Sequence, residues 1–139
     1  NIGSLASLAP VAGLPLYSAS KFGVRGFSLA AAQELRRQGV HVSVVLPDAV
    51  ATPMLDLQVD YEEAAMTFSG SEPLTIDQVV DVVVERVIPD HPVEVTVPAT
   101  RGSLARLSNL WPQVAFLLAP ILEKIGASHQ SRYRDPEQE

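Results

Sequence analysis

Ser4, Tyr17 and Lys21 are the residues of this chain whose types and spacing could move a proton, in the pattern Ser-x12-Tyr-x3-Lys. The run Tyr17-Ser18-Ala19-Ser20-Lys21 is free of glycine and proline and is compatible with a helix. Residues four apart on a helix lie one above the other on one face, so Tyr17 and Lys21 point the same way. A free phenol titrates near ~10 and is a poor acid or base at neutral pH. An ammonium beside it favours the phenolate and brings proton exchange toward the working range. Ser4 adds a hydroxyl that could hydrogen-bond the same reacting oxygen. Each residue alone has an ordinary explanation: a turn serine, a half-buried tyrosine with a wet hydroxyl, a solvated surface lysine. Their joint spacing favours catalysis.

Elements that would position these groups can be read around them. Asn1–Ser4 looks like the carboxyl tip of a parallel strand, where open α/β sheets place their ligands. The stretch 5–16 holds Pro10, Gly13 and Pro15 among apolar residues, which predicts a loop rather than a continuous helix. A helix is predicted from Ser18 to about Gln38, with Val24, Phe27, Leu29, Ala31 and Leu35 as its apolar positions. Gly39 is its expected C-cap, and Arg36 and Arg37 complement the dipole. Gly23, Gly26 and Ala30-Ala31-Ala32 leave little bulk, so another helix or a ligand could approach. His41–Leu46 is nearly all apolar and β-branched, the mark of a strand buried on both faces. His41 itself is expected at the surface, with neither a carboxylate nor a second histidine beside it.

Asn1-Ile2-Gly3-Ser4, Tyr17-x3-Lys21 and Pro47-Asp48-Ala49-Val50-Ala51-Thr52, in this order, resemble the short-chain dehydrogenase/reductase family. The resemblance covers roughly residues 1–100. It implies a Rossmann-like doubly wound parallel sheet of which this chain is the C-terminal part, in the α/β class. It also implies an oxidoreductase moving hydride between NAD(P) and a carbonyl or secondary alcohol. NADP leads NAD narrowly, as a guess. Tyr17 would be the acid or base, Ser4 would orient the substrate oxygen, and Lys21 would assist Tyr17 and bind the nicotinamide ribose. Ser7, the nearest alternative hydroxyl, is off the family spacing. By the same resemblance Pro47 and Val50 would meet the nicotinamide carboxamide through the backbone, and Thr52 would meet the phosphates. Thr52 before Pro53 could equally be a helix N-cap. Asp48 stands where the family usually has Gly, which leaves the loop shape open. The family's glycine-rich loop and its catalytic Asn are not found here. The chain therefore reads as the C-terminal half of a longer enzyme, inactive alone, and Asn1 is given no role. The family also implies a homo-oligomer.

The rest of the chain adds bounds. Its 139 residues suffice for one modest core, and 47% hydrophobic with 19% charged residues reads as globular. A net charge of −6 argues against a nucleic-acid partner. The chain has no cysteine, which fits a cytoplasmic setting and excludes thiolate chemistry. No metal is required, since the hard chemistry belongs to the cofactor. By the resemblance stretch 53–71 would be a variable lid, its Met and aromatic residues suited to an apolar substrate; it reads equally as short helices covering the core, with its carboxylates solvated. Thr75 and Gln78 form a capping box for a largely buried helix ending before Pro89, and Val93–Val97 alternates like a half-exposed strand. Residues 101–127 read as an apolar helical extension flanked by Arg101, Arg106, Lys124, Arg132 and Arg134, with 128–139 a frayed polar tail. That extension could pack on the sheet or against another subunit, close a substrate pocket or touch a membrane peripherally. The competing reading of the whole chain is a non-catalytic oligomerisation or membrane-associating module.

Overall fold

In the computed structural model, which describes residues 1–70 and 72–134, the sheet is parallel and buried on both faces. Strand β1 (Val44–Pro47) pairs with β2 (Glu94–Val97) in the register Val45↔Val95. On its other edge β1 receives Ile2 in a parallel bridge, with Gly3 N–H donating to Val45 O at 2.8 Å. Asn1–Ser4 is thus the strand tip that its sequence suggests. Val44 and Leu46 pack on Leu5, Leu8 and Ala105, whereas Val45 packs with Val95 and Val97 against Val79, Val82, Val83 and Val87. A parallel strand covered on both sides needs apolar residues at consecutive positions, which is what Val44-Val45-Leu46 supplies. This is a partial Rossmann-like α/β arrangement.

Helix α1 (Pro15–Leu35) starts three residues before the predicted Ser18, because Pro15 occupies the first helical position, where its missing N–H is harmless. A tight turn over Arg36–Gln38 then ends on Gly39 at φ 76°, the expected left-handed cap. The buried face of α1 differs from the apolar pattern. Ser18, Ser28 and Ala32 are buried, while Phe27 is 68% exposed. Small residues let α1 lie close to the sheet, and the Ser28 hydroxyl is satisfied there. It donates to Val24 O at 2.6 Å and accepts from Asn1 Nδ2 at 2.9 Å. Gly23 and Gly26 face open space. His41 is exposed as expected, but it has a histidine neighbour after all: it stacks on His91 at 4.4 Å between ring centroids.

After β1 come α2 (Pro53–Gln58) and a tight helical segment over Glu62–Ser69. Their Leu55, Val59, Ala64, Ala65 and Phe68 are buried, and Asp56, Asp60, Glu62 and Glu63 face solvent. Helix α3 (Ile76–Val82) begins with the predicted capping box: Gln78 N–H donates to Thr75 Oγ1 at 3.2 Å and Thr75 N–H to Gln78 Oε1 at 2.8 Å. The helix then widens over Val83–Val87 and runs through Pro89 as α4 (Ile88–Asp90) instead of stopping before it. A widened turn makes room for a proline ring and its missing N–H. None of its residues is fully buried, since only one side meets the sheet. Conversely, β2 is more buried than a half-exposed strand, because α5 (Ala99–Leu110) covers Thr96.

Helix α6 (Pro112–Arg134) continues through Pro120 and well into the stretch expected to fray, and its Gln130 is buried. The end of that expected tail, 135–139, lies outside the described residues, as does Ser71. The basic residues of this region do not simply flank it. Arg106 joins Glu94 at 2.9 Å, Arg134 donates to Val59 O at 2.7 Å, and Arg101 meets Asp48. Among the described residues no helix is long and apolar enough to cross a membrane.

Glu94, 13% exposed, ties two helices to the start of β2 by accepting from Arg25 of α1 at 2.5 Å and from Arg106 of α5. Burial alone would raise its pKa. The hydrogen bonds and charges of Arg25 and Arg106 outweigh that and hold the carboxyl below the usual 4.5. A depressed carboxylate stabilises the fold fully above its unfolded pKa and loses that contribution as pH falls through the folded value. Thermal melts of the full-length protein between roughly pH 6 and pH 3 should therefore drop more steeply for wild type than for Glu94→Gln. Parallel curves would show that the pair contributes nothing.

Candidate active site

Strand tips aim Ser4, the loop Pro47–Thr52 and the start of α5 at one end of the sheet. A cleft of about 970 Å³ opens there. Ser4, Tyr17, Pro47, Val50 and Thr52 all line it. Lys21 is not on its wall. Its Nζ lies 5.6 Å from the centre of the Tyr17 ring, over the negative π face, as expected for residues one helical turn apart. Both Tyr17 and Lys21 are half-buried.

Ser4 precedes a tight turn over Leu5–Ser7 and caps it, its Oγ accepting from Ala6 N–H at 3.1 Å. A hydroxyl that accepts one bond still has a proton to donate. Ser7 is 0% exposed, with its Oγ accepting from Ser4 N–H at 3.2 Å. It shapes the turn and does not reach the cleft.

The loop after β1 is anchored on one side. Asp48 N–H donates to Val97 O, Leu74 N–H to Ala49 O, and Ala51 N–H to Leu74 O, each at 2.8 Å. In this parallel bridge the residues on either side of Val50 bond Leu74, so Val50's own N–H and C=O point the other way. A donor and an acceptor side by side suit a primary carboxamide, so the loop fits the nicotinamide role that the resemblance gives it. Thr52 does precede α2, with Pro53 at the first helical position, yet its hydroxyl makes no cap bond. It donates instead to Val50 O at 3.2 Å.

Among the other polar residues lining the cleft are Asp48, Gln58 and Arg101; no local signal in the sequence marks the last two as site residues, because their surroundings come from distant parts of the chain, and Asp48 shows only as a departure from its motif. Gln58 Oε1 is buried without a hydrogen-bond partner among the described residues. The apolar wall comes from both helical layers, including Met54, Met66, Leu104, Phe116 and Leu122. The segment 58–70 is held by polar side chains of α6. Gln130 donates to the carbonyls of Gln58, Val59 and Tyr61 at 2.9, 3.2 and 2.8 Å. His129 Nδ1 reaches Phe68 O and Gly70 O at 3.0 and 2.8 Å.

The family described as short chain dehydrogenase matches residues 1–63. The 15-hydroxyprostaglandin dehydrogenase of Rattus norvegicus, named as NAD(+)-dependent, is 46% identical over 65 residues, covering 45% of this chain and 24% of that protein. The 3-oxoacyl-acyl-carrier-protein reductase of Homo sapiens is 46% identical over 54 residues, covering 39% of this chain and 23% of its own. Diacetyl reductase of Staphylococcus aureus is 41% identical over 56 residues, 40% of this chain and 22% of its own. The chain spans about a quarter of the length of the curated relatives it matches. No solved structure matches at the same stringency. Over the stretch that holds Ser4, Tyr17, Lys21 and the loop after β1, the chain is similar to the short-chain dehydrogenase/reductase family.

Proposed function

We propose that this chain carries the proton-transfer half of an NAD(P)-dependent oxidoreductase that interconverts a carbonyl and a secondary alcohol. The observation that carries the reading is the sharing of one cleft by Ser4, Tyr17 and the loop Pro47–Thr52, with the Lys21 ammonium against the Tyr17 ring. The nicotinamide, when bound, accepts or supplies the hydride. Tyr17 gives its phenolic proton to the carbonyl oxygen in reduction and takes the alcohol proton in oxidation. Ser4 donates to the same oxygen and fixes its direction. Val50 holds the carboxamide through its backbone, and Thr52 and Lys21 meet the phosphate and ribose sides of the cofactor. Of the relatives above, the one whose name prints a cofactor prints NAD(+), which weighs against the narrow lean toward NADP.

The substrate in this reading is a small molecule with an apolar body, because Met66, Leu104, Phe116 and Leu122 face the same cleft as the reacting hydroxyls. Ser4→Ala in the full-length enzyme tests the assignment. Removing one donor to the developing oxyanion should lower kcat about 10²-fold, with cofactor KM nearly unchanged. Turnover equal to wild type across a panel of ketones and secondary alcohols would remove Ser4 from the mechanism.

A further inference from the structure

Asp48 and Arg101 have no part in the chemistry above, yet the fold joins them at the cleft. Asp48 follows β1, and Arg101 stands in the first turn of α5, just after β2. Arg101 Nε meets Asp48 Oδ2, and the two side chains are 33% and 17% exposed. The far end of the same guanidinium binds the segment over the cleft: Nη1 donates to Ser69 O and Nη2 to Ser69 Oγ, both at 3.3 Å. The Ala49 amide beside the Asp48 carboxylate favours its charged form. Burial raises the pKa of Asp48 by more than Arg101 and that amide lower it. A partly buried pair of this kind is poor evidence of stabilisation, so its place beside Val50 asks for another explanation.

We infer that Arg101 is a positioning residue: through Asp48 it sets the turn from Pro47 to Thr52, and through Ser69 it couples that turn to the segment roofing the cleft. The inference rests on reading this turn as the nicotinamide loop. Bonds to Val97 and Leu74 fix the loop's sheet side, but they do not hold the side that faces the cleft. Asp48 supplies that hold where a glycine could not, and only while its charge is answered. Without Arg101 the carboxylate must take up a proton or swing toward water. The Ala49 peptide next to it then shifts, and Val50, next in the chain, loses its aim.

The experiment uses the full-length enzyme and NADH or NADPH, whichever wild type turns over. Arg101→Met should raise cofactor KM about tenfold and weaken binding of the reduced cofactor, read by its fluorescence, to the same degree, with kcat changed less than about threefold. Arg101→Lys should recover part of the loss. In an Asp48→Gly background, where the arginine has nothing to act through, Arg101→Met should change cofactor affinity less than about twofold. Equal losses in both backgrounds would overturn the inference, as would wild-type affinity in folded Arg101→Met. If that variant does not fold, Asp48→Asn, which keeps the shape and drops the charge, should show the same KM rise, and no rise overturns the inference. Thr52→Ala separates the two levels of the argument. If it weakens cofactor binding while Arg101→Met does not, only the positioning role falls. If neither does, the loop does not hold the cofactor and both readings fall.

Discussion

Tyr17→Phe in the full-length enzyme should lower kcat by about 10²–10⁴-fold while leaving cofactor affinity within roughly threefold of wild type. The substitution removes one hydroxyl and keeps the ring. The ring is half-buried at the cleft, with the Lys21 ammonium 5.6 Å from its centre, so packing and the cation–ring contact persist. Only the proton donor is lost. Ser4 remains to polarise the oxygen, which is why some residual turnover is expected in place of none. A melting temperature equal to wild type, measured alongside, separates lost chemistry from lost structure. Retention of most of the turnover would rule Tyr17 out as acid or base.

Gly126→Ala should destabilise the protein by about 3 kcal/mol, against the sign of helix propensity. An alanine in a helix interior normally gains about 1 kcal/mol over glycine. Here a Cβ at position 126 would run into Ala65 O and its carbonyl carbon, with Ser69 N close by. These are backbone atoms and cannot rotate aside, so α6 must lift. Overpacking of this kind costs about 1–3 kcal/mol. Lifting α6 also strains the bonds from His129 and Gln130 to the carbonyls of segment 58–70. Each buried group left unpaired adds about 1–3 kcal/mol. Urea unfolding reads the result: a lower midpoint is expected, and an unchanged or higher one would mean α6 does not seat on Ala65.

Legibility from sequence divides along the distance between partners. Tyr17 and Lys21 sit one helical turn apart, so their spacing alone predicted that they would meet. Val44-Val45-Leu46 announced a doubly covered strand, and Thr75 with Gln78 announced a helix start, for the same local reason. The buried face of α1 was misjudged because hydrophobicity is a poor guide where backbone proximity decides. Ser28 is buried with its hydroxyl satisfied, and the bulkier Phe27 points outward. The roles of Gly126 and Gln130 depend on a segment roughly half the chain away, and nothing in their neighbours foretold it. Asp48 was visible only as an oddity of its motif, since the residue that accounts for it begins a helix beyond the second strand.

Gly102 sits so close to Thr96 that a Cβ there would overlap the threonine side chain, and Gly126 lies equally close to Ala65. Between these two bare points runs one side of the cleft's apolar wall. Under the proposed function, substrate preference could therefore be redrawn along 104–122 by exchange with another protein's tail, leaving Ser4 and Tyr17 as they are. Such a chimera would seat properly only if the donor tail brought a residue without a side chain at both anchor points.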